Sequence, residues 1–167
     1  NVLRIFNEDP AWSERLTFDT FANRPCLDGA ALPRGQDTDL AAELSYRYAL
    51  DTTSARVREC VYSSSRRRQF HPVRAYLDTL AWDGTPRLDA MLFDGFGVSD
   101  EDEYADILRL MSRWFLLSMV ARVYEPGCQV DTMLILPGGQ GDGKSQAFAA
   151  LASRPWFGRT DMDLGDK

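Results

Sequence analysis

The chemistry of this 167-residue chain concentrates in one glycine-rich stretch, Pro137-Gly138-Gly139-Gln140-Gly141-Asp142-Gly143-Lys144-Ser145. Gly138, four spacers, Gly143, Lys144 and Ser145 satisfy the pattern G-x-x-x-x-G-K-[ST]. The spacing has a physical cause. A loop that wraps a phosphate points its amides inward, and glycines allow the backbone turns and the close approach. A helix beginning at the end of the loop presents free N–H groups and the positive end of its dipole to the same anion. Lys144 supplies a compact charge between β- and γ-phosphates, and the Ser145 hydroxyl is a ligand for the Mg²⁺ that bridges them.

The flanks fit. Asp131-Thr132-Met133-Leu134-Ile135-Leu136 reads as a short buried strand, and Gln146-Ala147-Phe148-Ala149-Ala150-Leu151-Ala152 as a helix. The chain has seventeen arginines and only two lysines, Lys144 and Lys167, so lysine falls where the loop wants it. The candidate nucleotide-binding residues are therefore Gly138, Gly139, Gln140, Gly141, Asp142, Gly143, Lys144, Ser145 and Gln146, with amides of residues 139–144 cradling the β-phosphate. Lys144 is the candidate catalytic residue, Ser145 the Mg²⁺ ligand, and ATP-Mg²⁺ the expected cofactor. Asp142 is unusual beside phosphates and is expected to face solvent. Gln146 stands where many such loops carry a second hydroxyl.

Hydrolysis needs more: a second strand ending in an acid, and usually an arginine from a neighbour. Only 22 residues follow Ser145, and none of them form an apolar strand running into a carboxylate; Asp161 and Asp163 are metal partners only in the loosest sense. The chain also starts at Asn1 without an initiator methionine. The expectation is the front part of a larger ATPase, able to bind nucleotide but not to turn it over. A phosphotransferase could share the loop but would need an acceptor site, which the sequence does not offer.

Net charge is -6, which excludes a generally basic nucleic-acid coat. The charge is uneven: residues 1–55 sum to -4, residues 56–87 to +4 and residues 88–167 to -6. The basic island over residues 56–74 centres on Arg66, Arg67 and Arg68. It reads either as nucleic-acid phosphate contact or as a solvated helix end answered by neighbouring acids. A non-catalytic DNA-binding or assembly module resting on that island is the alternative function. Cys26, Cys60 and Cys128 are odd in number and widely spaced, and His71 is the lone histidine. That pattern excludes a zinc site from nearby ligands and a disulfide framework, and points to a reduced, cytoplasmic protein. No apolar run is long enough for a membrane span.

The elements that must position the loop follow from periodicity. Val2 to Phe6 is apolar with its type open. Residues 16–19 and 24–27 can pair as a hairpin, with Pro25 confining its strand to an edge. Residues 32–36 read as a loop. Helices are expected after N-caps at 37–39 and 51–54, the pair resembling a helix-turn-helix or winged-helix core, and after His71 with Pro72 in the first turn. Val73, Tyr76, Leu77 and Leu80 form the stripe expected to be buried. A further helix is expected over residues 87–93. A long one should start at residues 99–103 and run to Tyr124, its second half buried on most sides. His71 reads as a capping or packing residue.

Several stretches carry a family resemblance: HPVRAYLD at residues 71–78, WDGTPRLD at 82–89, ARVYEPG at 121–127, and the loop at 138–145. In that order they make the chain resemble the virulence-associated E family, phage- and plasmid-borne P-loop proteins similar to primase-helicases. The resemblance implies a helicase-like motor in replication of a mobile element, with a core of RecA or AAA+ type, and carries ATP and Mg²⁺ contacts to Gly143, Lys144 and Ser145. It implies DNA and a homo-oligomeric ring as partners of the full-length protein. The expected fold class is mixed α/β: an α+β region over residues 1–70, with a winged helix among its options, a helical region over 71–126, and the beginning of a P-loop NTPase core over 127–167.

Overall fold

The computed structural model describes residues 1–158 and divides into two compact units between Thr79 and Leu80. It mixes helix and sheet.

In the first unit, Val2–Glu8 forms α1, the choice that periodicity leaves open. Asn1 caps it through the Leu3 amide, and Asp9 both closes α1 and caps α2 (Pro10–Ser13) through the Ala11 amide at 2.9 Å. With Pro10 in the first turn, two short helices are locked end to end. The hairpin forms as expected, with β1 (Leu16–Asp19) antiparallel to β2 (Arg24–Leu27) and Leu16 opposite Leu27. The edge position expected for Pro25 is not found. β3 (Ala30–Ala31) pairs with Cys26 and Leu27, so β2 lies inside the order β3-β2-β1-β4. Proline is tolerated there because β3 asks only for its carbonyl, which accepts from the Leu32 amide at 3.3 Å.

Helix α3 (Gln36–Tyr48) starts earlier than the aspartates suggest, because Gly35 in the left-handed region caps it and leaves Asp37 and Asp39 in the first turn. Thr53 caps α4 (Ser54–Ser65) through the Arg56 amide. Val2, Phe6, Trp12, Leu16, Leu40, Leu44, Val57, Cys60 and Val61 form the core. β4 (Gln69–Phe70) joins β1 in parallel. His71 caps α5 (Pro72–Asp78), its Nδ1 accepting from the Arg74 amide at 3.1 Å, which is the capping role expected of it. The stripe expected on α5 is not buried: no residue of the helix is, and Tyr76 is 44% exposed.

In the second unit the first helix is α6 (Met91–Phe96), not residues 87–93. Arg87 is drawn back onto Asp83 by two hydrogen bonds of 2.8 and 2.7 Å, closing a turn in which a helix cannot start. That bidentate pair, with the Thr85 amide, holds the Asp83 carboxyl well below the usual carboxylate range. Residues 99–103 form turns, and α7 runs over Ala105–Tyr124. Its expected burial is not found. Ser112 is its one buried residue, while Ile107, Leu110, Trp114, Leu117 and Val120 are exposed. The helix is apolar around most of its circumference, and within this unit α6 and α8 (Lys144–Leu151) cover only part of that surface.

Residues 131–136 are not a strand. The four-stranded sheet is built from residues 16–70, and among the described residues the segment has no strand to pair with. Met133 and Ile135 are consequently exposed. The three cysteines are free thiols. Among the described residues no helix is long and apolar enough to cross a membrane.

One network ties the first unit across 39 positions: Trp12 Nε1–H donates to the Tyr48 hydroxyl at 3.0 Å, which donates to Asp9 Oδ2 at 2.6 Å. The Tyr48 hydrogen bond holds the Asp9 carboxyl below its ordinary value. A lowered folded-state value stabilises above the ordinary carboxylate range, and the contribution is lost as pH falls through the lowered value. Tyr48→Phe strands the buried Trp12 donor and should cost about 1–3 kcal/mol in urea unfolding followed by tryptophan fluorescence. It should also flatten the acid limb of the stability profile. An unchanged midpoint at neutral pH contradicts this account of the network.

Candidate functional site

Three helices of the second unit position the glycine-rich loop. Phe148 of α8 packs its ring against Phe96 of α6 at 5.6 Å and against Phe115 of α7 at 5.7 Å. Ser112 links the other two, accepting from the Leu92 amide at 3.3 Å and donating to the Leu108 carbonyl at 2.9 Å. Asp89 grips Arg113 at 2.7 and 2.5 Å, and these bonds lower the Asp89 carboxyl from its ordinary value. Arg109 lies over the Phe93 ring at 4.5 Å. The base on which α8 stands is thus an aromatic cluster fastened by ion pairs.

The loop approaches α8 through glycines in the left-handed half of backbone space: Gly138 at φ 153°, Gly141 at 98° and Gly143 at 77°. Gly143 is the N-cap of α8, so Lys144 is the first helical residue. The Gly143 carbonyl accepts from both the Gln146 and Ala147 amides at 2.9 Å. The amides of Gly141, Gly143, Lys144 and Ser145 donate to no protein acceptor among the described residues, and neither does the Ser145 hydroxyl. A Cβ on Gly138 would meet Asp142 Oδ2 at 2.8 Å and Lys144 Nζ at 3.0 Å, both ends of side chains that can shift, so it is the positive φ that favours glycine there.

Lys144 folds back over the loop. Its Nζ donates to the Gly139 carbonyl at 2.7 Å and lies 3.4 Å from Asp142 Oδ2. Asp142 is exposed to solvent as expected, its side chain 54% accessible, while one carboxylate oxygen stays within 3.4 Å of the Lys144 ammonium. Gly139, Gln140 and Gln146 are exposed. A cleft of about 340 Å³ opens beside the loop, lined by Asp142, Gly143, Lys144, Ala147, Leu136, Pro137, Gly95 and Phe96. The last two come from α6, more than forty positions upstream, and no spacing in the sequence connects them to the loop. Asp161 and Asp163 lie outside the described residues. No group of three metal-binding side chains occurs among the described ones.

The donors present fit a phosphate chain: amides at a helix start without acceptors among the described residues, an ammonium, a hydroxyl and glycines at positive φ. The basic island is not one surface. Arg56 pairs with Glu59 and Arg58 with Asp37, as expected of a solvated helix. Arg66 stacks on the Phe18 and Tyr62 rings, whereas Arg67 and Arg68 line a separate pocket with Asn7, Ser13 and Ser64.

Residues 77–167, more than half of the chain, match the virulence-associated protein E-like domain. No curated protein matches the chain. The match covers the second unit and the end of α5. It leaves the sheet outside.

Asp142 competes with any anion for the Lys144 ammonium. Asp142→Asn removes that competition, and because the pair is half exposed the gain is modest. Titration with a fluorescent ATP analogue and Mg²⁺ should show roughly threefold to fivefold tighter binding. Weaker binding by this variant would assign the carboxylate a supporting role and overturn the competition.

Proposed function

The chain belongs to the virulence-associated protein E-like domain family, and from that premise we propose that its second unit is the nucleotide-binding entry of a P-loop ATPase. ATP-Mg²⁺ is the ligand. The parent activity is ATP hydrolysis coupled to movement on DNA, in replication of a phage- or plasmid-like mobile element, with a homo-oligomeric ring as its working form. The observation that supports this most is the free-amide turn: Gly141, Gly143, Lys144 and Ser145, around the start of α8, carry N–H groups without protein acceptors among the described residues.

Each residue has a role in binding. The amides cradle the β-phosphate, and the α8 dipole adds to their field. Lys144 exchanges the Gly139 carbonyl for phosphate oxygens, an ammonium–anion bond replacing an ammonium–carbonyl one. The Ser145 hydroxyl ligates Mg²⁺. Asp142 must swing away from Lys144 as the anion enters. Gly95 and Phe96 wall the cleft on the α6 side and limit water beside the phosphates. The bound metal–nucleotide supplies a phosphoryl group activated for transfer. Among the described residues Asp142 is the carboxylate that lines the cleft.

The test is Lys144→Ala. The side chain is on the surface of an eight-residue helix, and its loss should leave the circular dichroism spectrum unchanged. ATP-Mg²⁺ binding by isothermal titration should fall below detection. Unchanged affinity refutes the assignment.

A further inference from the structure

The basic side chains after residue 55 differ in what answers them. Arg56 and Arg58 have carboxylates, and Arg66 has two rings at 5.5 and 5.7 Å. The guanidinium groups of Arg67 and Arg68 have neither among the described residues. They open onto a surface pocket of about 240 Å³ whose other walls are Phe6, Asn7, Ser13 and Ser64.

Among the described residues no carboxylate lines the pocket. The Ser13 hydroxyl has no protein partner among the described residues, so its proton is available. Asn7 buries its Oδ1 without a hydrogen bond, and a half-turn of the amide exchanges that oxygen for two N–H donors. A buried orphan polar atom marks a place where a polar occupant is missing from the protein's own bonding. Ser64 spends its proton on the Phe6 carbonyl at 3.1 Å, which fixes the floor.

The arginines are held in place by their backbone. The Arg67 amide donates to the Ser64 carbonyl and the Arg68 amide to the Ser65 carbonyl, both at 3.0 Å, and the Arg68 carbonyl accepts from the Phe18 amide of β1 at 2.9 Å. Two forks therefore leave a fixed backbone corner between α4 and β4, so binding has to order the side chains and not the backbone that carries them. The pocket is below the roughly 300–1,000 Å³ of small-molecule sites, which excludes a nucleoside and admits one tetrahedral oxyanion. Paired guanidinium groups recognise such an oxyanion by bidentate bonds. Residues 56–79 of the same unit sum to +4 in an otherwise acidic chain, a local charge that favours a polyanion.

We propose that this pocket of the first unit seats one backbone phosphate of a nucleic-acid strand, with Arg67 and Arg68 as the principal contacts and Ser13 and Asn7 as supporting donors. It does not depend on the nucleotide reading of the second unit, and its test is made without nucleotide.

Fluorescence anisotropy of a labelled oligothymidylate is measured with the whole chain across a salt series. Arg67→Ala/Arg68→Ala should weaken binding about tenfold at low salt. It should also reduce the slope of log K against log salt by about 0.7, the value for one single-strand phosphate. Arg56→Ala/Arg58→Ala removes the same formal charge from paired positions and should change affinity less than twofold. If the first variant fails to fold, Ser13→Glu places a carboxylate in the pocket and should give the same tenfold loss. Inorganic phosphate separates the sources: for a strand site, millimolar phosphate competes with the oligonucleotide for the native chain and not for Arg67→Ala/Arg68→Ala. Equal losses from both arginine pairs would mean diffuse charge. No oligonucleotide binding, or binding unaffected at Arg67, Arg68 and Ser13, overturns the proposal, as does phosphate that binds the pocket without displacing the strand.

Discussion

The left-handed turn at Gly143 is the constraint on which the candidate site depends. It lets the chain enter α8 abruptly, so that Lys144 is already helical while the amides before and after it remain without protein acceptors. A residue with a Cβ at that φ costs about 1–2 kcal/mol and would tend to smooth the entry, pairing the amides and turning the ammonium away. The consequence is electrostatic. The unsatisfied N–H groups, the helix dipole and one ammonium form a positive concavity in a chain of net charge -6. The chain's own Gly139 carbonyl and the Asp142 carboxylate lie beside the lysine.

The same logic sorts the basic residues of the first unit. A cation with a carboxylate or ring beside it has its interaction already made inside the protein, as for Arg56, Arg58 and Arg66. Arg67 and Arg68 sit on a backbone corner fixed by three hydrogen bonds and have none among the described residues. The lysine of the second unit is answered by a carbonyl and a carboxylate of its own loop, whereas these two guanidinium groups are not answered within the described protein.

The turn into α8 was legible because glycines at positive φ followed by a run of helix formers are a signal that short-range sequence carries. Capping was legible for the same reason at Thr53 and His71, where one side chain meets one amide three positions on. What depends on distant partners was not. Residues 131–136 have the composition of a buried strand, but a strand exists only with a neighbour to pair with, and composition does not say where that neighbour is. The long helix α7 was expected to be buried because it is apolar on most sides, yet burial is decided by how much of the chain packs against it. Helix starts at 87 and 99 were misplaced because Arg87–Asp83 and the turns at 99–103 hold the backbone in other shapes. Asp142 was expected to face solvent, and it does, while keeping one oxygen near the Lys144 ammonium.

The most direct measurement is amide hydrogen exchange across residues 139–145, followed by mass spectrometry, with and without a non-hydrolysable ATP analogue and Mg²⁺. In the free chain the amides of Gly141, Gly143, Lys144 and Ser145 should exchange close to the rate of an open loop, since nothing in the described protein accepts from them. Saturating nucleotide should slow them at least tenfold while amides in the middle of α7 change little. Exchange at these four positions that stays the same when nucleotide is bound would contradict the account, because the triphosphate would then be seated elsewhere.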